Sequence, residues 1–330
     1  MIYSFEHSDV RYRDFLTVLD DLKLDYETIE RDKIVVRVFG HINDSLRQKL
    51  DQVSGRTGKL TLKKTGESRE KQNAETTGHK VIIAGPCSVE SEEQIDEIAR
   101  FLCDLGIRYL RGGAFKPRTQ SSSFQGLGKT GLKLIASTAA RYHMKVVTEL
   151  MDRSQLDDVG QYADVIQVGS RNMFNYSLLT ALGAVDKPIL LKRGMAATID
   201  EWVHAANYIR RGGNERVILC ERGIRTFEPR TRFTLDIQAI PIARQLSGLP
   251  VIADASHAAG DRDQVPPLIK AALAAGADGI MVEVHPHPDV ALSDGRQSMT
   301  LDGFRRVFEE ITQMGLLNRS DSQGGPSFHL

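Results

Sequence analysis

The chain has 330 residues, 41% of them hydrophobic and 26% charged, enough to bury one large core and a small second one. With 43 basic residues against 43 acidic ones there is no net field to draw the chain to nucleic acid or to an anionic membrane, so any anion site must be local. No apolar run approaches the length of a membrane span, the start lacks a basic segment followed by a long apolar one, and a cytoplasmic protein is expected.

The first sixty or so residues predict a βαββαβ unit of the ferredoxin-like (ACT-like) kind over 1–64. A strand at 2–5 precedes a helix whose Phe15, Leu16, Leu19 and Leu22 recur on one face. Two extended runs follow, 26–29 and 34–39, split by the turn residues Arg31, Asp32 and Lys33. Asn43 or Asp44 can cap a second helix carrying Leu46, Leu50 and Val53, and 60–62 supplies a last strand. Residues 65–79 are polar and read as a linker, and the Ser/Gly-rich stretch 318–330 as a frayed tail.

From Lys80 the rhythm changes to short continuous apolar runs, each followed by a turn and a longer helical pattern. That is the signature of parallel strands buried on both faces. The runs are 81–84, 109–110, 146–148, 165–168, 189–191, 217–220, 251–253 and 280–284. Eight of them predict an α/β fold, a (β/α)8 TIM barrel over 80–317. A doubly wound sheet is the alternative, but no G-x-G-x-x-G follows the first run.

In such a barrel the active site lies at the C-terminal strand ends, so the residues that terminate each run matter most. The first run ends in Gly85-Pro86-Cys87-Ser88, and the second opens into Arg111-Gly112-Gly113-Ala114-Phe115-Lys116-Pro117-Arg118-Thr119. The third ends at Glu149, the fourth opens into Gly169-Ser170-Arg171-Asn172, and the fifth into Lys192-Arg193-Gly194. The last three open into Glu221-Arg222-Gly223, Asp254-Ala255-Ser256-His257 and Glu283-Val284-His285-Pro286. One cation at a strand end is ordinary surface decoration, but a cation at so many ends predicts a ligand with at least two anionic groups.

Cys87, His257, Glu283 and Asp294 add a thiol, an imidazole and two carboxylates to the same mouth, a mixed donor set suited to a divalent transition metal such as Mn, Fe, Co or Zn. Singly, each is explained as well by a buried thiol, a helix cap or a turn residue. Together at strand ends one, seven and eight they favour ligation. Cysteines number three, odd and far apart, so no disulfide framework is expected; Cys103 and Cys220 read as packing residues.

These segments, with Lys116-Pro117-Arg118-Thr119, the Gly-Ser-Arg-Asn-Met segment from Gly169 and Glu-Val-His-Pro from Glu283, resemble 3-deoxy-D-arabino-heptulosonate 7-phosphate (DAHP) synthase over residues 80–307. The resemblance implies condensation of phosphoenolpyruvate with erythrose 4-phosphate and release of phosphate. It implies a metal held by Cys87, His257, Glu283 and Asp294, and a phosphoenolpyruvate cradle of Arg111, Lys116, Arg171, Lys192 and Arg222 with Glu149 and Ser170 nearby. Gly169 and Arg193 are counted with these contacts, and Lys116, Pro117, Arg118 and Thr119 meet erythrose 4-phosphate, Arg118 taking its phosphate. Lys116 is placed to donate a proton to the developing alkoxide, with Cys87 and His257 completing the catalytic group. The first domain resembles the extension through which some of these enzymes are inhibited by Tyr or Phe, and a homotetramer or homodimer is expected.

The chain departs from the common pattern at Gln120-Ser121-Ser122, where Ser-Pro-Tyr is usual, at Ala255 and at Glu228-Pro229-Arg230. Three rival readings are a 3-deoxy-octulosonate 8-phosphate synthase using arabinose 5-phosphate, a metal-dependent hydrolase and a noncatalytic amino-acid-sensing barrel. The first would carry Lys-Ala-Asn-Arg at 116–119, the second a His-rich cluster after the early strands, and the third would not need an intact set of strand-end residues.

Overall fold

The computed structural model describes residues 2–6, 8–30, 34–38, 44–54, 80–116 and 123–317. The chain divides into two compact units, residues 1–72 and 73–330. The first contains β1 (Ile2–Phe5), α1 (Arg11–Asp21), β2 (Tyr26–Glu30), β3 (Ile34–Val38) and α2 (Asp44–Val53). Its strands form an antiparallel sheet in the order β1-β3-β2. Alternate residues Tyr3 and Phe5 on β1 and Ile34, Val36 and Val38 on β3 face one way and pack on Phe15 and Leu19 of α1 and Leu50 of α2. The strand period of two and the helical spacing of four therefore meet in one small core. The second run extends one residue further than expected, to Glu30, and the third is described from Ile34 to Val38, residue 39 lying outside the described residues. The strand expected at 60–62, the linker and the tail lie outside the described residues.

The second unit alternates strand and helix. It runs β4 (Val81–Gly85), α3 (Glu92–Asp104), β5 (Tyr109–Arg111), α4 (Lys129–Arg141), β6 (Lys145–Leu150), α5 (Leu156–Tyr162), β7 (Val165–Val168) and α6 (Tyr176–Leu182). It continues with β8 (Ile189–Lys192), α7 (Ile199–Arg211), β9 (Val217–Glu221), α8 (Ala239–Ser247), β10 (Val251–Asp254), α9 (Ala255–Ala259), α10 (Val265–Ala274), β11 (Gly279–Glu283) and α11 (Leu301–Gln313). The eight strands pair in parallel and in chain order, and β11 closes on β4 through the pairs Gly279 with Val81 to Glu283 with Gly85. Closure excludes the doubly wound sheet.

Burial on both faces explains the unbroken apolar runs. Val81, Ile83, Tyr109, Val147, Val165, Leu190, Ile218, Cys220, Ile252 and Met281 form a cluster drawn from all eight strands, which can only be the barrel interior. Their neighbours Ile82, Ala84, Leu110, Val146, Ile280 and Val282 point the other way and pack against helices. Cys220 is thus an interior packing residue, as expected, whereas Cys103 is half-buried and accepts a contact from Arg108 Nη1 at 3.5 Å. The helices begin where capping chemistry allows. Ser91 accepts from Gln94 N at 3.1 Å ahead of α3, and Thr198 and Glu201 make a reciprocal capping box ahead of α7.

Because Ile83 is fully buried in the closed interior, Ile83→Ala should lower stability by roughly 2–5 kcal/mol in chemical denaturation while leaving the barrel's secondary structure intact by circular dichroism.

Candidate active site

The strand ends meet at one mouth, and two loops there are zipped together by backbone bonds. Val89 N donates to Gly113 O at 3.0 Å and Gly113 N to Cys87 O at 3.1 Å, so the loop after β4 runs beside the loop after β5. Gly85 permits this approach. A Cβ there would sit 2.0 Å from Arg111 O, and its φ of +149° suits glycine alone. The result is that Lys116 Nζ reaches Cys87 Sγ at 2.9 Å.

Three of the four expected metal ligands come together directly. One donor atom each from Cys87, Glu283 and Asp294 lies within 4.8 Å of the others, and Cys87 Sγ lies 3.1 Å from Asp294 Oδ2. His257 joins from α9, its Nε2 standing 3.6 Å from Glu283 Oε1. Asp294 has a left-handed backbone, φ +46°, uncommon for a residue other than glycine though tolerated by Asp. Its loop is fastened by Ser88 Oγ to Ser293 Oγ at 2.8 Å, by Leu292 N donating to Glu90 Oε1 at 2.9 Å, and by Gln297 N donating to Asp294 O at 3.2 Å.

The electrostatics of this group call for a cation. Burial, with Glu283 adding to it, pushes the Cys87 thiol up to about 12 against the pull of Lys116. Glu283 moves the other way. Burial opposes its charge, but the neighbouring His257, Arg111 and Lys116 outweigh that and hold it at about 2. Burial lowers the His257 pKa, leaving a neutral imidazole fit to donate a lone pair. Burial also opposes the charge on Lys116, yet Cys87 and Glu283 together raise its pKa. A soft thiol, an imidazole and two carboxylates held this way fit a divalent transition metal, whose charge would displace the thiol proton.

The cleft beside this group is lined by Lys116, Glu149, Gly169, Ser170, Arg171, Lys192, Arg222, His257 and Asp294, all expected from the sequence. It is also lined by Met195, Arg232 and Phe233, which were not. The cleft opens to solvent at the barrel mouth and has a cavity volume of about 170 Å³. Lys192 Nζ bonds the buried Asp254 Oδ2 at 2.5 Å, and Asp254 Oδ1 caps α9 by accepting from His257 N at 3.0 Å. A Cβ on Gly169 would lie 2.1 Å from Glu149 Oε1, so a larger residue there would have to displace that carboxylate. Arg222 is buried and stacks on Phe233, its guanidinium carbon 4.2 Å from the ring centre. Among the described residues no carboxylate forms an ion pair with Arg171 or Arg222. The cleft therefore carries positive charge that the described protein does not neutralise.

Two of the expected substrate contacts do not line this cleft. Arg193 is no part of the cleft. Its Nη1 is bound at 2.9 Å to both Glu221 Oε2 and Asp236 Oδ2, and its Nε donates to Ala197 O at 3.0 Å, so it ties β8 to β9 and the following loop. Arg111 is not among the residues that line the cleft. It pairs with Glu283 Oε1 at 2.9 Å and keeps a buried Nε with no partner. Pro117, Arg118 and Thr119 lie outside the described residues. Arg232 escaped the sequence reading because it stands in the long loop after β9, ten residues beyond Arg222, where strand-end logic does not reach.

A closed parallel barrel whose mouth joins a metal-competent donor group to unneutralised guanidinium groups defines a barrel enzyme for anionic substrates. Residues 64–317 match the DAHP synthetase I family model, and the chain belongs to that family. It is 53% identical over 237 residues to the phospho-2-dehydro-3-deoxyheptonate aldolase of Thermotoga maritima, covering 72% of this chain and 70% of that one. A 2-dehydro-3-deoxyphosphooctonate aldolase of Desulfotalea psychrophila is 32% identical over 252 residues, covering 71% and 89%. The crystal structure of phospho-2-dehydro-3-deoxyheptonate aldolase (DAHP synthase) from Thermotoga maritima superposes with a TM-score of 0.72 at 39% identity, covering 95% of this chain and 96% of that one. No helix among the described residues is long and apolar enough to cross a membrane.

The fully buried Asp254 carboxyl lies well below its usual 3.8, burial being outweighed by His257 and Lys192. A lowered carboxyl pKa adds stability above 3.8 that is lost as pH falls below it. Asp254→Asn, which strands Lys192, should cost roughly 3–5 kcal/mol at neutral pH and flatten the acid limb of a urea-midpoint profile.

Proposed function

We infer that the chain acts as a DAHP synthase, condensing phosphoenolpyruvate with erythrose 4-phosphate and releasing phosphate, the first step toward chorismate. The observation that carries this reading is the pair of unneutralised cations, Arg171 and Arg222, in the same cleft as Lys116 and the ligand group. Phosphoenolpyruvate brings a phosphate and a carboxylate, and erythrose 4-phosphate a second phosphate, so both together need several separate cations. Arg171, Lys192 and Arg222 hold phosphoenolpyruvate, and Arg118 and Thr119 take the sugar phosphate. The family match and the greater identity to the heptonate than to the octonate enzyme favour erythrose 4-phosphate over arabinose 5-phosphate as acceptor.

Cys87, His257, Glu283 and Asp294 hold a divalent transition metal, which supplies Lewis acidity toward the acceptor's aldehyde. The cations orient C3 of phosphoenolpyruvate toward that aldehyde carbon, where the new C–C bond forms. Lys116, kept protonated, delivers its proton to the oxygen that becomes the new hydroxyl. Water adds at C2 and phosphate leaves with cleavage of the C–O bond. The enzyme works in the cytoplasm, where its phosphorylated substrates are retained.

The first unit, residues 1–64 with a linker over 65–79, serves as a regulatory module that binds Tyr or Phe, in a homotetramer or homodimer. Its β1-β3-β2 order with two helices supports a ferredoxin-like identity.

Phosphoenolpyruvate consumption should be rapid with erythrose 4-phosphate, slow with arabinose 5-phosphate, abolished by chelation and restored by a divalent metal; equal rates with the two sugars would sink the acceptor assignment. Lys116→Met should lower kcat by about 10²–10⁴-fold, and an unchanged kcat would remove its proton-donor role. Deleting the first unit should abolish inhibition by Tyr or Phe, and inhibition equal in both forms would show that the effector site lies elsewhere.

A further inference from the structure

Glu283 is fully buried, and its two oxygens are held from opposite sides. Oε1 faces Arg111 Nη1 at 2.9 Å and His257 Nε2 at 3.6 Å, while Oε2 accepts from Gln297 Nε2 at 2.7 Å. Gln297 is itself buried, and its other amide atom, Oε1, accepts from Arg232 Nη1 at 2.6 Å. A guanidinium can only donate and a carboxylate can only accept, so an amide between them is satisfied in one orientation alone. Turning it over would set oxygen against carboxylate and NH2 against guanidinium. Arg232 thereby decides which way the Gln297 amide faces, and the amide decides where Oε2 lies.

We propose that Gln297, aimed by Arg232, is a positioning residue that sets the Glu283 carboxylate for metal binding; this rests on Glu283 being a metal ligand, as read above. Among the described residues Gln297 is the only hydrogen-bond donor to Oε2, so without the amide the carboxylate can turn to give both oxygens to Arg111, since a guanidinium favours two parallel bonds to one carboxylate. A Glu283 so engaged is a poorer ligand. The relay also touches Asp294 and the helix that carries His257. Gln297 N donates to Asp294 O at 3.2 Å, and Arg232 Nη1 stands 3.9 Å from Asp294 Oδ1. The stem of Arg232 lies against Gly260 at the end of α9, the helix that bears His257; a Cβ on Gly260 would come within 2.6 Å of it. Arg232 is exposed on its cleft side, so one side chain lines the substrate cleft and fixes, through one amide, the orientation of a buried ligand. The sequence places these two residues 65 positions apart, and only the fold makes them a pair.

The test is titration of the full-length, chelator-stripped protein with Co²⁺ alone, followed by the thiolate-to-cobalt absorption and the d–d bands, with melting of the apo form recorded beside it. Gln297→Met, similar in length but unable to bond either neighbour, should weaken Co²⁺ binding by roughly 10–100-fold and shift the d–d bands. Arg232→Met should weaken it in the same direction, Arg232→Lys should restore part of the loss, and Arg232→Met should add less than about twofold when Gln297 is already Met. Co²⁺ affinity within about twofold of the unaltered chain in Gln297→Met, or an equal Arg232→Met effect in both backgrounds, would overturn the relay. A residue with only a packing role would lower the apo melting temperature and leave the cobalt affinity in place. If Gln297→Met does not fold, the Arg232 variants decide alone, because that side chain lies outside the core; unchanged affinity in Arg232→Met overturns the proposal. Glu283→Gln separates the two readings. Indifference of Co²⁺ to Glu283 defeats the ligand assignment itself, whereas dependence on Glu283 with indifference to Gln297 defeats only the positioning role.

Discussion

Closure of eight parallel strands is the constraint on which the site depends. Each strand is held in register by neighbours on both sides, so its last residue is placed by the barrel and not by its own loop. Glu283 ends β11 opposite Gly85 at the end of β4, and Cys87 follows two residues later. Two donors nearly 200 residues apart in sequence are thus neighbours through a single strand pairing. Asp254, Lys192 and Glu221 are set in the same way at the ends of β10, β8 and β9. Cys87 and His257 lie only a short reach beyond such fixed points, which suits chemistry that tolerates little misplacement, whereas Asp294 and Arg232 are brought to the mouth by longer loops.

The mouth holds more charge than a protein interior accepts without partners. Part of it is paired inside the protein, as with Lys192 and Asp254 or Arg193 with Glu221 and Asp236. Such pairs fix geometry more than they stabilise, since desolvation offsets most of their attraction. The remainder gathers in two adjoining regions, neither of a single sign. Carboxylates and a thiol collect around Cys87, and guanidinium groups collect around Arg171 and Arg222. One region fits a metal cation and the other anionic substrates, and Lys116 stands between them on the Cys87 sulfur.

Arg111 and Arg193 show how similar strand-end arginines acquire different work. Both are buried and both meet a carboxylate, but Arg193 has its donors taken up by Glu221, Asp236 and Ala197, whereas Arg111 retains an unpartnered buried Nε. Nothing in the order Lys192-Arg193-Gly194 distinguishes a cleft residue from a strut. Successive residues of a strand face opposite sides of the sheet, and here Lys192 lines the cleft while Arg193 turns toward Ala197 and Trp202.

Much of this was legible in the chain itself. Eight apolar runs separated by helical spacing predict a parallel α/β sheet buried on both faces, with a barrel favoured over a doubly wound sheet, and the pairing of β11 with β4 closes it. The polar residue after each run marks the site, and family resemblance in those segments names the chemistry. Tertiary structure alone decided which of these side chains share a surface: that Arg193 leaves the cleft, that Arg232 enters it from a long loop, and that Gln297 stands between Arg232 and Glu283. The difference has a physical origin. Periodicity is a local property that each segment carries by itself, whereas hydrogen-bond partners across a barrel mouth exist only once closure has brought distant strand ends within about 3 Å of one another.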